Sequence, residues 1–236
     1  MCYDYGKDKQ KGAEVIMQIG NFLRFKDEPY YVIARTSKVF DPLNYGFKEI
    51  TAHYSACWTG YVNHFRVEHN KLLLDKLLIN VPDKYAKILN CDKPYKGSEM
   101  KNTPFNLFDW NYLNVNLPLP FTGRILGGYN YVPYYAIEMG FHTIASYKRI
   151  YEFIFDEGRL VVINDYSDKA EEQRKYIDLH LRKGPKGNHK EESIVYDIGR
   201  QKPLPNDLEK YYIFSKELVD CYFSLDYKDK ADWIKL

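Results

Sequence analysis

The sequence predicts an α+β protein: an antiparallel, strongly curved sheet or a partly open β-barrel, with a C-terminal helix packed on it. Short apolar runs alternate with turn residues along most of the chain, a pattern typical of hairpin strands. The chain contains 23 tyrosines, 13 phenylalanines and 3 tryptophans, and flat rings pack well on a pleated surface. One segment near the C-terminus has apolar residues at helical spacing.

The apolar runs define nine candidate strands. Turn residues separate them, including the Asp-Glu-Gly sequence at 156–158, which predicts a hairpin, and the Gly-Gly-Tyr-Asn sequence at 127–130. Each strand is expected to pair with its neighbour in the chain, which makes the central group an antiparallel meander. The predicted strands are residues 18–25, 29–35, 57–61, 62–67, 71–79, 121–126, 134–138, 149–156 and 159–164.

The chain divides into three regions. Residues 1–16 are polar and predict a disordered tail, residues 17–165 predict the β-rich domain, and residues 166–236 predict a helical and loop extension packed on that domain. In the extension, Asn206 and Glu209 form a potential capping box before a run of apolar residues at helical spacing.

Three further segments have weaker patterns. Residues 82–89 predict one short helix, and residues 90–120 predict an ordered excursion that packs back onto the sheet, because their dense aromatic rings argue against disorder. Residues 167–172 begin like a helix. Residues 176–182 fit either a continuation of that helix or a strand.

Composition limits the classes of function. The chain has 34 Lys and Arg against 32 Asp and Glu, which is not the strongly basic balance of a dedicated nucleic-acid binder. The polar N-terminus does not resemble a signal peptide, and no apolar run approaches the roughly 18 residues of a membrane span. The four cysteines are far apart, which favours free thiols. We therefore expect a cytoplasmic protein with no membrane partner.

The sequence contains no recognisable catalytic motif. Neither a phosphate-binding G-x-x-x-x-G-K loop nor a G-x-S-x-G elbow is present. Cys57 lies near His53, His64 and His69, but this spacing matches no standard zinc pattern, and a buried thiol is the simpler interpretation. We predict no catalytic residue, no metal and no cofactor.

Five residues are candidates for ligand binding. Trp110 and Tyr112 lie in the long excursion, where they either contact a partner or cover the sheet. Arg124, Glu138 and His142 lie at predicted strand ends, where they either line a polar pocket or extend into solvent.

Four short motifs carry a resemblance to a known family. The motifs are MQIG at 17–20, CWTGY at 57–61, KLLL at 71–74 and TGRI at 122–125. Their order and spacing resemble a family of uncharacterised bacterial proteins of the Bacteroidetes type, which has an M-x-Q-I-G start and a C-W-x-G-Y motif. The resemblance covers residues 17–165, implies that native translation starts at Met17, and carries no known activity.

These observations leave two main functions and one alternative without a ligand. The first is a non-enzymatic binding or interaction protein with a protein partner, in an immunity- or defence-related role in bacteria or phage. The second is an enzyme or binder acting on a nucleotide or nucleic acid through Arg124, Glu138 and His142. The third is a structural module whose aromatic residues serve only the core. The sequence does not define the oligomeric state.

Overall fold

The computed structural model shows an α+β protein with a strongly curved sheet. It describes residues 19–54, 57, 59–86, 89, 94–100, 104–135 and 144–180. The predicted tail at residues 1–16 and the predicted helix that follows Asn206 lie outside these residues. Among the described residues, no helix has the length and apolar character needed to cross a bilayer.

The described residues form ten strands and one α-helix. The strands are β1 (Phe22–Phe25), β2 (Glu28–Arg35), β3 (Tyr61–Glu68), β4 (Lys71–Ile79), β5 (Tyr95–Lys96), β6 (Trp110–Tyr112), β7 (Leu117–Pro118), β8 (Gly123–Tyr131), β9 (Tyr147–Asp156) and β10 (Arg159–Asp165), and the helix is α1 (Ser167–His180).

Three hairpins organise the sheet: β1–β2, β3–β4 and β9–β10. Each has a two-residue loop whose residues both have positive φ, the backbone geometry that matches the twist of the flanking strands. The loop residues are Lys26 and Asp27, His69 and Asn70, and Glu157 and Gly158. The hairpin predicted at residues 156–158 is confirmed, and so is the pairing of the predicted strands 18–25 and 29–35, which meet across the loop of Lys26 and Asp27.

The strands follow the order β10-β9-β8-β2-β1-β3-β4-β6-β5, and β7 pairs with β4. Arg159 of β10 also lies opposite Lys71 of β4, so the sheet curves into a ring. All neighbouring strands are antiparallel except β1 and β3, which are parallel with Phe22 opposite His64. The sequence did not predict this pair. Strand β2 brings the chain back to the end at which β1 starts, and the connection at residues 36–60 begins β3 at that same end.

The main core fills the inside of the curved sheet. It includes Leu23, Phe65, Leu74 and Phe153, all completely or almost completely buried. A second cluster lies between the outer face and α1, where Ala170 of the helix packs near Ile150 and Leu126. The helix therefore covers the outer face of β8 and β9.

Two predicted local structures near glycines are wrong. Residues 57–61 were expected to form a strand, but of the described residues in this range only Tyr61 lies in one. Residues 127–130 were expected to turn, but β8 continues through them. Aromatic rings occupy the space beside its glycines: a Cβ on Gly127 would lie 2.9 Å from Tyr30 Cβ, and one on Gly128 would lie 2.4 Å from Tyr147 Cδ2. These glycines therefore admit rings rather than reverse the chain.

The segments with weak sequence patterns form short turns, short strands and the helix α1. The described residues between 82 and 89 form a 3-10 turn, Asp83–Tyr85, where one short helix was predicted. Strands β5, β6 and β7 return the excursion to β4, so the described part of residues 90–120 packs on the sheet. Residues 133–135 form a 3-10 turn within the strand predicted at 134–138, whose remainder lies outside the described residues. Helix α1 continues to His180.

Replacing Gly158 with alanine should destabilise the fold strongly. Gly158 has φ +78°, and a Cβ there would meet Leu119 O, which is backbone and cannot rotate away. The matched control is Gly46→Ala, at an exposed position with φ 86°, where left-handed backbone alone costs about 1–2 kcal/mol. Urea unfolding should show a larger loss in the free energy of unfolding for Gly158→Ala than for Gly46→Ala. Equal losses would contradict the close approach of Gly158 to Leu119 O.

Candidate anion-binding cleft

Trp110 and Tyr112 lie in the core, on strand β6. The Tyr112 hydroxyl donates to Tyr85 O at 2.7 Å, and its ring meets Phe47 edge-on at 5.7 Å. Trp110 is 8% exposed, with Lys96 Nζ 5.1 Å from its ring centroid. Packing against the core accounts for both rings without a ligand.

Arg124 lies on the outer face, beside a buried acid. Its Nη1 is 3.4 Å from Oε1 of Glu152, which is 1% exposed. Asn164 Nδ2 donates to the other carboxylate oxygen at 2.7 Å. Arg124 therefore helps to compensate a buried negative charge. Glu138 and His142 lie outside the described residues, so the predicted three-residue pocket stays a prediction.

The three histidines near Cys57 occupy different surroundings. His53 Nε2 is 3.2 Å from Asp109 Oδ2, His64 lies on β3, and His69 is in the β3–β4 turn. In the described part of the chain, no group of three or more His, Cys, Asp or Glu side chains is placed to hold a metal ion. Burial raises the pKa of the Cys57 thiol, which disfavours the reactive thiolate.

An open cleft of about 420 Å³ lies between the loop after β2 and the loop before β8. This volume is within the range of small-ligand sites. Its apolar lining comes from Val39, Phe40, Tyr45, Pro120 and Phe121. Its polar lining comes from Ser37, Lys38, Asp41, Asn44 and Thr122.

One capped turn shapes the first wall of the cleft. Asp41 Oδ1 accepts from Leu43 N at 3.2 Å, at the start of the 3-10 turn Pro42–Tyr45, and Gly46 ends that turn in the left-handed conformation. Lys38 Nζ donates to Asp41 Oδ2 at 2.8 Å. The turn chemistry of the sequence from 41 to 46 therefore fixes the wall.

Arg35, the last residue of β2, faces the inside of the sheet at this end. It lies opposite Ile125, a fully buried core residue, and directly opposed residues share a face. Within the described residues, its guanidinium has no hydrogen bond or ion pair, although the side chain is partly buried. Burial lowers the pKa of Arg35, but a guanidinium stays charged in proteins.

Arg35 does not itself line the cleft, and among the described residues its guanidinium has no ion-pair partner. Arg35 lies within electrostatic reach of Lys38, Asp41 and Tyr61. Lys38 and Asp41 neutralise each other in their ion pair, so the charge of Arg35 remains. A partly buried guanidinium with free donors is suited to a carboxylate or a phosphate.

Asn63 is a second polar residue on the inner face. It lies opposite Leu77, a fully buried core residue, and is itself 0% exposed. Neither atom of its side-chain amide has a partner in the described part of the chain. Leaving a buried polar group unpaired costs about 1–3 kcal/mol. Asn63 and Arg35 thus show that polar groups enter the core of the sheet near its cleft end.

A shift in strand register explains why sequence analysis missed Arg35. Alternation along β2 places Arg35 on the same face as Tyr31 and Ile33, which pack in the outer cluster. The pairing with β8 shifts between Val32 and Ala34, however, and this shift turns Arg35 inward. The only sequence signal was an arginine at the end of an apolar strand.

The fold and the cleft define a class: an α+β protein with a ring-like mixed sheet, at one end of which lies an arginine that has no ion-pair partner among the described residues. Comparison of the chain with known protein families, curated proteins and solved structures gives no match.

Replacing His64 should reduce the loss of stability in acid. Burial, reinforced by Lys76, lowers the pKa of His64 from 6.5 to about 4. Between pH 6.5 and pH 4 the unfolded chain binds more protons at His64 than the folded protein does. The free energy of unfolding therefore falls as the pH decreases through this range. When the pH is lowered from 7 to 4.5, the free energy of unfolding of the wild type should fall by about 2 kcal/mol more than that of His64→Gln.

Urea unfolding at the two pH values measures this difference. The control is His53→Gln, which changes an exposed histidine paired with Asp109. Equal acid sensitivity of the wild type and His64→Gln would contradict the assignment of His64 as a partly buried residue that is neutral in the folded protein at pH 7.

Proposed function

We propose that this protein is a non-enzymatic binding protein that holds a small anionic ligand beside Arg35. The observation that carries the proposal is the inward-facing guanidinium of Arg35, which has no acidic partner among the described residues. The adjoining cleft provides space for a ligand at the same end of the sheet.

The energetic cost of Arg35 supports a binding role. A buried charge without a partner destabilises a fold, and residues that weaken a protein are often retained because its activity needs them. An anionic ligand would supply the missing charge and accept two parallel hydrogen bonds from the guanidinium. The ligand would therefore stabilise the folded protein by an amount that grows with the logarithm of the ratio of its concentration to its dissociation constant.

Arg35→Met should abolish anion binding and stabilise the ligand-free protein. Methionine retains much of the side-chain volume and removes the unpaired charge. We therefore expect the free energy of unfolding to rise by about 1 kcal/mol, which corresponds to an increase of about 2–4 °C in Tm. Inorganic phosphate should raise the Tm of the wild type above its value in sodium chloride of equal ionic strength. The Tm of Arg35→Met should not respond.

The matched control is Arg149→Met. Arg149 is paired with Glu28 at 2.9 Å, so its replacement should leave the phosphate response intact. A lower Tm for ligand-free Arg35→Met would indicate a structural arginine. An unchanged phosphate response in that variant would also contradict the proposed site.

The exposed strand β10 favours a second candidate function, binding of a protein partner. Its consecutive residues Val161, Val162 and Ile163 are 51%, 44% and 38% exposed. Within the described residues, the edge of β10 away from β9 pairs with β4 at Arg159, and Leu160 N donates to Asn70 O at 2.8 Å. An extended apolar segment of a partner would add a strand to this edge. An immunity- or defence-related role stays a prediction under this candidate.

Val162→Lys separates the two candidates, because it places a charge on the exposed strand and leaves the cleft unchanged. A partner bound at β10 should be captured by the wild type and by Arg35→Met but not by Val162→Lys, as measured by pull-down from the native host. Capture by Val162→Lys that equals capture by the wild type would contradict binding at β10.

A further inference from the structure

The aromatic ring of Tyr45 lines the cleft in a fixed position. It stacks on Phe40 with 4.7 Å between ring centroids and 30° between ring planes. Phe40 is 2% exposed, whereas Tyr45 is partly exposed. The exposed area of the Tyr45 ring therefore lies away from Phe40. The capped turn Pro42–Tyr45 holds the ring at its end.

The loop before β8 adds further apolar residues to the lining. Pro120 and Phe121 line the cleft from the loop before β8, and Phe121 is continuous with the main core. The lining is thus of mixed polarity, and a flat group that enters the cleft can stack on the exposed part of the Tyr45 ring. Aromatic rings prefer such offset-stacked contacts.

We infer that the ligand held beside Arg35 carries a planar aromatic ring together with its anionic group, and that this ring stacks on Tyr45. This inference rests on the proposed function, since Arg35 supplies the positive charge for the anion. Two sources share the chemistry: a nucleoside phosphate and an aromatic carboxylate. Both combine a flat ring with an anion in a molecule of a size that suits the cleft.

Isothermal titration of the full chain with three probes tests the inference. The probes are adenosine monophosphate, ribose 5-phosphate, which lacks the base, and benzoate, an aromatic carboxylate. Base stacking on an aromatic side chain contributes about 1–3 kcal/mol, so adenosine monophosphate should bind about tenfold more tightly than ribose 5-phosphate. Tyr45→Leu should remove this difference and leave ribose 5-phosphate binding unchanged.

Arg35→Met should abolish binding of all three probes, whereas Tyr95→Leu, at an exposed tyrosine on β5, should change none. Tighter binding of benzoate than of ribose 5-phosphate, lost in Tyr45→Leu, would support an aromatic carboxylate. Arg35-dependent binding of ribose 5-phosphate with no gain for either aromatic probe would overturn the inference and leave the proposed function standing. Binding of no probe, and of no phosphate, would overturn both.

Discussion

The fold depends on the packing of aromatic rings against both faces of β8 at adjacent glycines. On the inner face, Gly127 lies against Tyr30 and Phe153, and on the outer face Gly128 lies against Tyr147. A side chain at either glycine would push these rings away and separate β8 from its neighbours. Because β8 joins β2 to β9, this contact connects the first hairpin with the last one and allows the sheet to curve around one core.

The cleft follows from a second constraint, the register shift between β2 and β8. The shift turns Arg35 toward the inside while the residues before it keep their places in the two apolar clusters. The chain then leaves β2 and forms the turn that begins at Asp41. This single shift in register thus places the charge of Arg35 on the inner face, although the alternation of the sequence predicts the outer face.

Local chemistry made much of the fold predictable, and contacts distant in sequence explain the rest. The β9–β10 hairpin follows from residues 156–158, because a two-residue turn depends on its own dihedral angles. The turn at residues 127–130 was wrong because the rings that fill the space beside Gly127 and Gly128 come from other strands. Arg35 escaped notice because a register shift arises from pairing between strands. The sequence left open whether Trp110 contacts a partner or covers the sheet, because its burial depends on how β6 pairs with β4.

The parallel pair β1–β3 has a consequence for the order in which the protein assembles. Hairpins join residues that are close in sequence and form in microseconds, whereas β1 and β3 meet only after the chain between residues 36 and 60 has closed a long loop. Contacts of such large sequence separation slow folding. The same stretch carries Lys38, Asp41 and Tyr45, so the cleft that they line is expected to be among the last parts of the molecule to form during refolding.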